Sequence, residues 1–99
     1  MDETNYKLIK EIPSNTQVKA WHIKVENENY QVVSAPYPRL FTVTSVYSAT
    51  KNGKIKDAAK PLFTIKGDKL EDAANELINF LKGTPFLEYY IIPNVYKPE

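Results

Sequence analysis

Residues 67–83, GDKLEDAANELINFLKG, decide the fold. Leu70, Ala73, Ala74, Leu77, Ile78 and Leu81 recur at the spacing of one helical face, which predicts an amphipathic helix over about 68–82. Asp68 is placed to accept from the free N–H groups of the first turn, and Glu71, three residues on, completes a capping-box pattern. Gly83 can take the left-handed conformation that closes a helix, and Pro85 prevents continuation. A helix with one apolar stripe must bury it against another layer. The remaining sequence offers strands for that layer.

Upstream, YKLIKEI (6–12) alternates loosely before the PSNT turn cluster and reads as a first strand. In QVKAWHIKV (17–25), Trp21, Ile23 and Val25 share one face at period two, while Val18, Ala20, His22 and Lys24 share the other. ENEN (26–29) suits a tight connection to YQVVSA (30–35), giving a hairpin over 17–35 that Pro36 and Pro38 are expected to end. RLFTVTSVYSA (39–49) is a long strand with neither face wholly polar, and PLFTIKG (61–67) is a short one carrying Phe63 and Ile65 on one face. After the helix, FLEYYIIP (86–93) reads as a last strand. The order predicts an α+β fold: an antiparallel β-meander of about five to six strands with one amphipathic helix packed on one face. The 99 residues make one domain, 1–99, with frayed termini at about 1–4 and 94–99.

Between the last two strands before the helix stands TKNGKIKDAAK (50–60), with four lysines around Asn52-Gly53. Asn-Gly favours a turn with positive φ, and a connection this long is expected to be either strand extension or a floppy tip. Net charge is +1, yet residues 39–66 hold six basic residues against one acid. The positive field therefore concentrates in the middle of the chain.

Several chemistries lack their residues. There is no cysteine, so thiol nucleophiles, disulfides and thiolate metal sites are out of reach. The three glycines stand too far apart for a phosphate or dinucleotide loop. His22 is the single histidine and is expected to be a half-exposed strand residue, with no companion for catalysis or metal binding. Glu71, Asp72 and Glu76 are expected on the wet side of the helix, where carboxylates stay solvated. No catalytic, cofactor or metal residues are assigned, and the chain reads as a non-enzyme. The N-terminus has no signal-peptide order and no apolar run reaches a membrane span, which reads as a cytoplasmic protein that needs no membrane. Abundant Lys, Asn, Ile and Tyr beside a single arginine suggest an AT-rich coding source, a virus or mobile element, and then a host cytoplasm.

What remains is binding. Seven tyrosines exceed what a small core requires, and tyrosine supplies interface area at low entropic cost. The leading expectation is a small inhibitor or adaptor that docks on a protein partner with an acidic surface. Its contact residues would be Lys51, Lys54, Lys56, Lys60, Arg39, Tyr47, Tyr89 and Tyr90. The alternative is single-stranded nucleic acid, bound by strand aromatics and the basic 50–60 loop. A third reading is a homodimer that pairs through the C-terminal strand.

Overall fold

The computed structural model describes residues 6–14, 16–37 and 41–83, apart from the side chain of Tyr37. Five strands, β1 (Lys7–Ile12), β2 (Lys19–Val25), β3 (Glu28–Tyr37), β4 (Phe41–Ser48) and β5 (Phe63–Lys66), precede one helix, α1 (Leu70–Lys82). They form a single antiparallel sheet in the order β1-β2-β3-β4-β5. The meander and its helix are as the sequence predicts; the segment 86–93, expected to be a strand, and the tail lie outside the described residues.

The period-two pattern of β2 sets the layers. Ile23 faces Tyr30 and Trp21 faces Val32 across β2–β3, and Val32 faces Val46, which faces Phe63. This row packs against Ala73, Ala74 and Leu77 of α1 to make the main core, with Tyr6, Trp21, Leu62, Leu70 and Ile78 around it. The ring of Phe80 lies 5.3 Å from that of Phe63. Glu76, three residues from Ala73 and four from Phe80, is drawn in with them and is buried, so the expected wet position is corrected. The opposite sheet face carries Ala20, His22, Val43, Ser45, Tyr47 and Thr64, all buried, with Ser45 and Thr64 hydroxyls 2.8 Å apart.

Two boundaries differ from expectation. β3 runs through Pro36, which pairs with Thr42, while pairing with β2 ends at Ser34. Beyond Ser34 the strand has a partner on one side only, where a missing N–H is least costly. The helix begins at Leu70 after an extended Lys69, and no side chain caps it. Gly67 is tied to β4 by its N–H to Thr42 O (2.7 Å) and by Thr44 Oγ1 donating to Gly67 O (2.7 Å). That anchor makes residues 67–69 part of the connection rather than a first turn. Gly83, at φ 76, closes the helix as its sequence position predicts.

The hairpins follow from short turns. Glu26 (φ 53) and Asn27 (φ 69) form the two-residue β2–β3 turn, with both central residues left-handed as a twisted hairpin requires. β1 meets β2 with an irregularity: Leu8 pairs with Ile23 and Lys10 with His22, so Ile9 is an extra residue, a β-bulge.

Candidate functional site

The lysine-rich stretch 50–60 is the one segment that composition singles out, and its backbone is held at many points. Beyond β4, Ala49 bridges Ile55 and Lys56 N–H donates to Ser48 O (3.0 Å), so the strand direction continues into a second, tight hairpin. Gly53 N–H closes a turn on Thr50 O (2.8 Å), and Thr50 N–H donates to Lys54 O (2.9 Å). The left-handed Gly53 (φ 86) makes this a three-residue loop with a glycine bulge. Thr50 Oγ1 accepts from Asn52 N (3.3 Å) and Lys54 N (3.1 Å), a short side chain satisfying two backbone donors.

Asp57 then builds a turn of its own. Its Oδ1 accepts from Ala59 N (3.1 Å) and its carbonyl from Lys60 N (3.1 Å). Leu62 N–H returns to Val46 O (2.7 Å), and β5 begins. Of the two expectations, strand extension or a floppy tip, the floppy tip is not what the structure has. The segment is a short hairpin continuing β4 and then a turn at Asp57, in which the N–H groups of Asn52, Gly53, Lys54, Ala59 and Lys60 each find an acceptor within a few residues.

The tip is also fastened to the sheet. Gln31 Nε2 donates to Gly53 O (2.7 Å), and Gly53 lies so close over His22 that an added Cβ would sit 2.7 Å from Nδ1. His22 Nε2 and Asn29 Oδ1 are 2.8 Å apart; the amide oxygen only accepts, so Nε2 carries the proton. Asn29 O in turn accepts from Ala49 N (3.0 Å). His22 is 5% exposed, which corrects the half-exposed reading: the glycine turn lies across it. Gln31, Asn29 and His22 gave no signal in the sequence as supports of the loop, since the fold-back depends on side chains of strands far away along the chain.

Lys51, Lys54, Lys56 and Lys60 are exposed along this ordered platform. Tyr47, expected at the contact surface, is 7% exposed and lies in the second face beside Gln31. Burial raises the pKa of its phenol, with a hydrogen bond to Ser45 pulling the other way; Tyr30 is raised by burial and then by Glu28 and Glu26. Arg39, Tyr89 and Tyr90 lie outside the described residues. The strand aromatics expected to offer a stacking surface are turned to other uses: Tyr30, Tyr47 and Phe63 are buried, Trp21 packs on the core, and Phe41 lies beneath Lys66 Nζ, 4.7 Å from its ring centre.

Among the described residues no three His, Cys, Asp or Glu side chains gather as a metal site, and no helix is long and apolar enough to cross a membrane. Compared with protein-family models, curated proteins and solved structures, the chain matches none.

Proposed function

We propose that this chain is a non-enzymatic binding module, a small inhibitor or adaptor, that docks its lysine hairpin on an acidic surface of a protein partner. The observation that carries this reading is the preorganisation of residues 48–56. Ordering a loop on binding costs free energy, and a hairpin already fixed by its own hydrogen bonds and by Gln31 avoids that cost. Lysines held on such a platform steer an acidic partner toward one orientation. The burial of Tyr30, Tyr47 and Phe63 supports a protein partner over single-stranded nucleic acid, which needs exposed rings for stacking.

Affinity capture from a lysate of the source organism tests it. The wild-type chain and a control with Lys19→Glu, Lys69→Glu and Lys82→Glu should retain the same protein in stoichiometric amount. Lys51→Glu, Lys54→Glu and Lys56→Glu together should lower retention by about tenfold or more, as charge reversal at a complementary surface does. Equal retention by the hairpin variant, or capture that nuclease treatment abolishes, overturns the reading.

A further inference from the structure

The β1 bulge has an effect on charge. In a regular strand, residues three apart point to opposite faces. With Ile9 extruded, Lys7 pairs with Lys24 and Lys10 with His22. Lys24 and His22 share the face over which Gly53 folds, so Lys7, Lys10 and Lys24 join the face that bears the lysine hairpin. Like charges directly opposite each other on neighbouring strands are destabilising. The fold nonetheless sets Lys7 against Lys24.

We propose that the outer edge of β1, with Lys7, Lys10 and Lys24, is a docking strand for an extended acidic segment of a protein partner. The inference rests on the protein-binding reading above and adds the partner's form. β1 is the outermost strand of the order, so among the described residues its outer edge has no strand beside it. Main-chain groups on such an edge accept an added strand, and side chains flanking it select the sequence. Leu8 (49% exposed) and Ile9 (43% exposed) offer apolar contacts, while the lysines call for carboxylates at alternate positions.

Edge lysines and bulges also serve to keep sheets from pairing edge to edge. That role accounts for Lys7 and Lys10. It does not account for Lys24, which stands on an interior strand opposite Lys7, or for two exposed aliphatic side chains on the guarded edge. An acidic strand satisfies all of these together: its carboxylates fall beside Lys7 and Lys10 on the face they share with Lys24, offsetting that crowded positive charge, and its apolar residues cover Leu8 and Ile9.

The test uses the full chain and a fluorescein-labelled peptide of alternating Glu and Val, about eight residues long, near the length of an ordinary strand. Anisotropy should show saturable binding, weakened about tenfold or more by Lys7→Gln, Lys10→Gln and Lys24→Gln together, and β1 amides should exchange more slowly in the complex. A Gln/Val peptide should not bind. Far-UV circular dichroism checks that the triple variant is folded, and Lys7→Gln alone, on an exposed side chain, supplies the same comparison if it is not. No saturable binding, equal binding by the variants, unchanged β1 exchange, or tighter lysine-dependent binding of an oligothymidylate of similar length each overturns the proposal. Retained hairpin-dependent capture alongside such a failure removes the docking strand and leaves the hairpin reading intact. Lost capture with peptide binding preserved does the reverse.

Discussion

Gly53 meets two demands at once. Its φ of +86 is one that side-chain-bearing residues rarely adopt, and an added Cβ would stand 2.7 Å from His22 Nδ1 and 2.8 Å from Cγ. The glycine and the preceding Asn52 announce a positive-φ turn in the sequence. What they leave unsaid is where the turn leans, because that is set by the Gln31 amide and the His22 ring on other strands. Gly53→Ala should destabilise the chain by about 1–3 kcal/mol. Gly67→Ala is the comparison: its φ of +115 is also strained, but no atom lies within 4 Å of the added Cβ. Urea midpoints of the two variants separate the clash from the backbone strain, and a Gly53→Ala cost no larger than that of Gly67→Ala would refute the close approach.

At the level of elements, the helix was the most legible part, since a six-residue apolar stripe survives whatever it packs against. Its start was not legible. Asp68 has the chemistry of a cap, yet Gly67 is bonded to Thr42 and Thr44, and the chain turns helical only at Leu70. The stripe is also used unevenly. Leu77 is fully buried against the sheet, whereas Leu81, a full turn later, is 40% exposed. Leu77→Ala should therefore cost about 2–5 kcal/mol, and Leu81→Ala distinctly less, because only the first leaves a cavity. Thermal or denaturant unfolding checks this; similar costs at both positions would mean that the helix end is packed. For the site, the lysines could be read directly, and the ordered platform could not. Thr50 and Asp57 bond to their own turns, a local preference, but the fastening to Gln31 is a tertiary event.

Across the whole molecule, charges scattered in sequence become neighbours. Lys7, Lys10 and Lys24 belong to a segment whose acids outnumber its lysines, and only the register of β1 on β2 brings Lys7 and Lys10 to the face that Lys24 shares with the hairpin. Crowding like charges on one face implies that added salt, which screens exposed charges over about 10 Å at ~0.1 M, should raise the melting temperature. Lys7→Glu, which turns the opposed pair with Lys24 into an attractive one, should stabilise by about 0.2–1 kcal/mol and reduce the salt effect. A melting temperature that falls with salt, or is lowered by Lys7→Glu, would contradict the crowding. The strand order has a further consequence in time. Every described strand pairs with its neighbour in the chain, so successive hairpin closures suffice to build the sheet and no crossover is needed. Forming a β-hairpin takes on the order of microseconds, its short loop costs little closure entropy, and contacts near in sequence favour rapid folding. The meander thus places this sheet among those expected to reach their native pairing quickly, so the edges that pair in the finished sheet stand open for little time while the chain folds.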